Sequence, residues 1–113
     1  TAPTMMLNLS NLAWFEDSIA LPQHLQISRM RTLEMQHPML RATNTGVTAF
    51  IDHRGRVQAR LPHYRRDALD VSVQGTTGLT PYVRFGNLIP AALAAALLVL
   101  ARLTGGGRQR RNR

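Results

Sequence analysis

Residues 38–51, Pro38-Met39-Leu40-Arg41-Ala42-Thr43-Asn44-Thr45-Gly46-Val47-Thr48-Ala49-Phe50-Ile51, read as two short strands around an Asn-Thr-Gly turn. The preceding stretch from Pro22 through Gln36 reads as a helix, with proline suited to the first turn and Pro38 marking the stop. On a helical wheel Leu25, Ile27, Met30 and Leu33 span one broad arc, and Arg29 and Glu34 fall inside it. The buried face is therefore expected to hold two opposite charges, which need each other once desolvated. Further upstream, Thr4-Met5-Met6-Leu7-Asn8-Leu9-Ser10 is an apolar run that ends in Ser10-Asn11, as a buried strand emptying into a loop does. Ala13-Trp14-Phe15 then puts two aromatic residues at that strand's end. Strand, helix and strand in this order make the chain an α/β protein.

Beyond Ile51, Asp52-His53-Arg54-Gly55 has Asp at the start and Gly at the end of a tight turn. Arg56 to Leu61 alternates, with Val57, Ala59 and Leu61 on one side and Arg56, Gln58 and Arg60 on the other, which predicts a hairpin with one wet face. Leu69, Val71 and Val73 alternate with Asp70, Ser72 and Gln74, predicting a further strand before Gly75-Thr76-Thr77-Gly78.

From Leu88 to Leu103 the sequence is almost wholly apolar, broken by Pro90 and Arg102. That is a little under the ~20 residues a bilayer span needs. Phe85 and its neighbours can extend the outer end, and Arg102 can snorkel toward headgroups. The other reading of this run is a buried Ala/Leu-rich core helix. Gly105-Gly106-Gly107 follows, then Arg108, Arg110, Arg111 and Arg113, and arginines directly beside an apolar span stay on the cytoplasmic side. Residues 1–87 would then lie on the other side of the membrane.

The net charge of +8 in 113 residues suggests a nucleic-acid binder until it is located. Residues 1–87 hold nine Arg and six acids, whereas residues 88–113 hold five Arg and no acid, so the excess is mostly a tail effect. Six scattered aromatic residues offer no stacking platform, and no nucleic-acid partner is expected. The chain has no Cys and no Lys, which excludes a thiolate metal site, a cysteine nucleophile and a Schiff-base lysine within it. No metal or other cofactor is expected; His24 and His37 lack ligand spacing and read as ordinary hydrogen-bonded histidines. Ser10 lies outside any Gly-x-Ser-x-Gly elbow.

Ser10-Asn11-Leu12-Ala13-Trp14-Phe15, Gln23 through Glu34, Leu40 through Ala49, and Thr77-Gly78-Leu79-Thr80-Pro81-Tyr82 closely resemble the apolipoprotein N-acyltransferases, from about Leu7 to the tail. Arg and Glu on a helix, then a strand and an Asn-x-Gly turn, also resemble the wider nitrilase superfamily. The stretch from Thr77 to Tyr82 leading into an apolar run narrows the likeness to the acyltransferase branch. The resemblance implies the C-terminal portion of a nitrilase-like αββα sandwich over residues 1–84, facing the periplasm, then one transmembrane helix over 85–104 and a basic cytoplasmic tail over 105–113. It implies a bacterial inner-membrane enzyme of which this chain is a truncated or incomplete piece.

The implied reaction is ping-pong acyl transfer, in which a cysteine takes a fatty acyl group from a phospholipid and passes it to the α-amino group of a lipoprotein's diacylglyceryl-cysteine. A Glu-Lys-Cys triad suits that chemistry, and in the family all three lie upstream of the segment matched here. No catalytic residue can therefore be assigned in this chain. Trp14 resembles an aromatic near the family's acyl-enzyme pocket and is the candidate substrate contact; core packing is the other reading. Arg29 and Glu34 are expected as a structural pair near the site, and Asn44 and Gly46 as turn formers near it, with lining the site as their other reading. Two positions depart from the family: Glu16 stands where Gly commonly follows the Trp-Phe pair, and Leu12 where Asp is often found. The competing functions are a soluble nitrilase-superfamily amidase and a small basic nucleic-acid-binding protein.

Overall fold

The computed structural model describes residues 2–105. Its chain divides into two compact units, residues 1–80 and 81–113. The first contains β1 (Met6–Ser10), a 3-10 turn (Ala13–Phe15), α1 (Ala20–Met35), β2 (Met39–Thr43), β3 (Ala49–Ile51) and β4 (Val57–Arg60); the second contains α2 (Pro81–Phe85) and α3 (Leu88–Gly105). The four strands form one mixed sheet in the order β1-β2-β3-β4. β1 and β2 are parallel, joined through α1, and β2-β3 and β3-β4 are antiparallel. The α/β class expected from the sequence is observed.

Pairing sorts the sheet's two faces. Asn8 lies opposite Arg41, and Arg41 opposite Ala49, on the face that α1 covers. Leu7, Leu40, Phe50 and Ala59 form a row on the other face, where Leu7 and Leu9 are exposed among the described residues.

The buried stripe of α1 differs from the expected one. Leu21, Ser28 and Thr32 are buried, whereas Ile27, Met30 and Leu33 are exposed. A wheel finds the most apolar arc, but the sheet takes the stripe whose short side chains allow close approach. Ser28 Oγ donates to the His24 carbonyl (3.1 Å) and Thr32 Oγ1 to the Arg29 carbonyl (2.7 Å), so these hydroxyls are satisfied inside. The helix ends where Gln36 turns left-handed (φ 56°, ψ 31°). Two carbonyls of its last turns are taken up by the following loop: Thr80 Oγ1 donates to the Glu34 carbonyl and Thr76 Oγ1 to that of Gln36, each at 2.5 Å. With its proton spent on Gln36, Thr76 Oγ1 accepts from His37 Nδ1 at 2.8 Å, which puts a proton on that ring nitrogen.

β3 begins two residues later than expected. Toward β2, Thr48 uses its side chain: Oγ1 accepts from the Thr43 amide (3.2 Å) and donates to the Thr43 carbonyl (3.3 Å), while its own carbonyl accepts from the Leu61 amide (2.9 Å). The strand expected over Leu69–Val73 does not form. Those apolar residues are half-buried and alternate with exposed Asp70, Ser72 and Gln74, so the facing is right, but period-2 patterning reports facing and not a hydrogen-bonded neighbour. Beyond its end, the Thr76 amide donates to the carbonyl of Thr4, two residues before β1 (2.9 Å).

In the second unit the helix is broken at Gly86 (φ 53°), so Phe85 ends α2 and does not lengthen α3. α3 has 18 residues, a rise of about 27 Å at ~1.5 Å per residue, and its residues from Leu88 to Thr104 are exposed. Among the described residues no helix is long and apolar enough to cross a membrane. The arginines of the expected tail lie outside the described residues.

Candidate functional site

In open sheets, ligands gather beyond the C-terminal ends of parallel strands. Here those ends carry two turns, Asn11–Glu16 after β1 and Asn44–Gly46 after β2, and the fold brings them together. Asn44 Oδ1 accepts from the Leu12 amide (2.9 Å) and the Thr45 amide (2.9 Å), and Asn44 Nδ2 donates to Asn11 Oδ1 (2.7 Å). Asn11 Oδ1 also accepts from the Ala13 amide at 3.1 Å, an Asx turn that starts the 3-10 segment. Leu12 is 2% exposed, and Gly46 leaves it room: a Cβ on Gly46 would lie 2.6 Å from Leu12 Cδ1.

This anchoring presents Trp14 outward at 84% exposure in this chain. Phe15 and Ile19 are exposed beside it in sequence. Glu16, one residue past the aromatic pair, has φ 48° and ψ −151°, a backbone region that L side chains avoid and glycine tolerates. That accounts physically for the glycine usual there in the resembled family. Val47, next to Gly46, also lines a cleft of about 340 Å³ with Arg60, Leu61, Pro62 and His63.

Arg29 and Glu34 do not form the expected buried pair. Arg29 donates through Nε to the Gly55 carbonyl (2.8 Å) and through Nη1 to Gln26 Oε1 (3.0 Å), tying α1 to the β3-β4 turn. Glu34 pairs with Arg31 at 2.7 Å on a partly exposed face. The β3-β4 turn follows Ile51, which pairs with Met39 at the start of β2, so Arg29 works at the sheet end away from Trp14. A solvated pair one turn apart costs less than burying two ions, and Arg29 finds a carbonyl instead.

Among the described residues the buried guanidinium is Arg41, 2% exposed, in place of the pair expected on α1; a charge between Leu40 and Ala42 in a strand is its sequence signal. Arg41 Nη1 donates to the His24 carbonyl (2.7 Å) and Ser28 Oγ (2.6 Å), and Nε to the Val47 carbonyl (3.2 Å). Asn8 Nδ2 lies 3.4 Å from Ser28 Oγ, and Ser10 Oγ donates to Asn8 Oδ1. Burial lowers the Arg41 pKa from its ordinary value without threatening its charge. Burial, then the Arg41 charge, hold His24 below its usual pKa.

The Trp14 turn offers an indole face, amides and a fixed backbone, suited to recognition rather than bond-making. Among the described residues no group of His, Asp or Glu is placed to hold a metal ion.

Residues 3–82 match the carbon-nitrogen hydrolase family. The chain is 57% identical over 102 residues to the apolipoprotein N-acyltransferase of Bordetella bronchiseptica, covering 90% of this chain and 19% of that protein. It is 60% identical over 100 residues to that of Ralstonia nicotianae (88% and 19%) and 53% identical over 100 residues to that of Nitrosomonas europaea (88% and 20%). The chain thus spans about a fifth of the length of the curated relatives it matches.

Proposed function

The chain belongs to the carbon-nitrogen hydrolase family, and from that premise we propose that it serves as the C-terminal part of an apolipoprotein N-acyltransferase. The observation that carries this is the high identity to proteins of that name along nearly the whole chain. In the proposed reaction an upstream cysteine thiolate attacks the ester carbonyl of a phospholipid, forming a thioester and releasing the lysophospholipid. The α-amino group of a diacylglyceryl-cysteine lipoprotein then attacks the thioester, returns the thiol and leaves an amide. This chain has no cysteine, so its share is binding and positioning. Trp14 contacts an acyl chain or headgroup, held by the turn that Asn44 and Gly46 form.

The same reading puts α3 in the bilayer as a final span, with residues 1–84 periplasmic and the arginine tail cytoplasmic. A helix of about 27 Å is slightly shorter than the ~30 Å hydrocarbon layer, a mismatch that local thinning and a snorkelling Arg102 accommodate. A soluble amidase is the second reading, suited to the carbon-nitrogen hydrolase match over residues 3–82.

Full-length protein expressed in cells depleted of their own acyltransferase tests the first reading. Lipoproteins recovered from them should gain an N-terminal acyl chain by mass spectrometry and the protein should resist carbonate extraction. Lipoproteins left diacylated would overturn it, and a protein released by carbonate that cleaves amides would establish the second.

A further inference from the structure

The two turns at the Trp14 site are unequally supported. The Asn44–Gly46 turn is braced from several directions: Arg41 Nε holds the Val47 carbonyl from inside the sheet, Thr48 Oγ1 bridges to both backbone groups of Thr43, and the Tyr64 amide donates to the Thr45 carbonyl at 3.4 Å. The Asn11–Glu16 turn has little of its own. Apart from the short-range bonds of its 3-10 segment and the Asx bond, its ties are to Asn44, together with Leu12 packed against Gly46. It also carries a strained residue, Glu16.

We propose that Asn44 is a positioning residue that latches the Trp14 turn onto the braced β2-β3 turn, and so sets where the indole meets substrate. The latch is directional. Asn44 needs both ends of its amide, with Oδ1 accepting from Leu12 and Thr45 and Nδ2 donating to Asn11. Among the described residues the Asn11 side chain acts as an acceptor, through Oδ1. A carboxylate can replace the Asn11 amide without losing a bond, but at position 44 it turns a donor into an acceptor facing Asn11 Oδ1. The consequence for substrate rests on the reading of Trp14 as a contact residue, whereas the latch itself does not.

The chain has one tryptophan, so its emission reports this turn alone. In the 113-residue chain, Asn44→Asp should lower Trp14 anisotropy and raise its quenching by acrylamide while the far-UV circular dichroism stays unchanged. Asn11→Asp should keep the wild-type anisotropy. Equal behaviour of the two variants, or loss of secondary structure in Asn44→Asp, would overturn the latch. In the full-length enzyme Asn44→Asp should raise KM several-fold with kcat near wild type, and should add nothing once Trp14→Ala is present. An additive KM effect in the double variant overturns action through Trp14. A KM unmoved by Trp14→Ala alone overturns the contact reading, whatever the anisotropy shows.

Discussion

Leu12 fills the space that the missing side chain of Gly46 leaves, so the second residue of the Trp14 turn and the residue ending the β2-β3 turn fit only because one has no Cβ. Gly46→Ala would bring a methyl group within 2.6 Å of Leu12 Cδ1. Overpacking of this kind costs about 1–3 kcal/mol. The expected outcome is a lower urea midpoint with an unchanged m-value, together with stronger acrylamide quenching of Trp14, as for a released turn. Paired Gly46→Ala and Leu12→Ala changes should recover part of the loss.

Glu16→Gly should stabilise the fold. The observed φ of 48° with ψ −151° is reached by glycine without strain, and relief at such a position is worth about 1–3 kcal/mol, less the entropy glycine adds to the unfolded chain. Thermal unfolding of the pair of proteins should show a higher midpoint for the glycine variant. An unchanged or lower midpoint would mean that Glu16 is not held in that conformation.

Arg41→Met should be among the most damaging single changes in residues 1–80. It strips donors from Ser28 Oγ and from the carbonyls of His24 and Val47, of which the His24 carbonyl keeps Ser28 Oγ; a buried acceptor left unsatisfied, as at Val47, costs about 1–3 kcal/mol. Arg41→Lys should rescue only partly, since one ammonium cannot reach acceptors on α1 and after β2 as a planar fork does. Equilibrium denaturation of the two variants should rank them in that order below wild type.

Stability should fall as pH drops from neutrality. Burial and then the neighbouring Arg41 charge hold folded His24 below the ordinary value of 6.5. Above that value His24 is neutral in both states and contributes nothing. As pH falls through 6.5 the unfolded chain takes the proton first, so unfolding is favoured until the folded-state pKa is passed, and the penalty then levels. Urea midpoints of wild type and His24→Gln between pH 5 and 7.5 should converge at the alkaline end and show a shallower slope for the variant.

Trp14→Ala should slow acyl transfer in the full-length enzyme while leaving stability within about 0.5 kcal/mol, as expected of a surface change at a residue 84% exposed. Single-turnover thioester formation and thermal unfolding on one preparation check both parts. Wild-type rates in a stable variant remove Trp14 from the site.

The order strand, helix, strand, hairpin was legible because short-range physics writes it: Pro22 sits in the first turn of α1 and Pro38 follows its end, Asn44-Thr45-Gly46 and Asp52–Gly55 carry turn chemistry, and Arg56–Leu61 alternates. The positions of Asn44 and Gly46 at the end of β2, and of Trp14 at the end of β1, followed from the same local signals. Which face of α1 would be buried did not, because hydropathy ranks side chains singly while packing selects for shape, and the sheet accepted Ser28 and Thr32 to seat Arg41. Arg29 and Glu34, close on a wheel, found nearer partners in Gly55 and Arg31. The Leu69–Val73 segment kept its alternation without a ladder, since a strand exists only where another backbone lies alongside. The sequence by itself thus determined the elements and the turn residues of this protein. Only the tertiary structure decided that Arg41 is the buried charge and that Asn44 meets Asn11 across 33 residues of chain, because contacts between distant segments depend on the geometry of the assembled sheet and not on any local pattern.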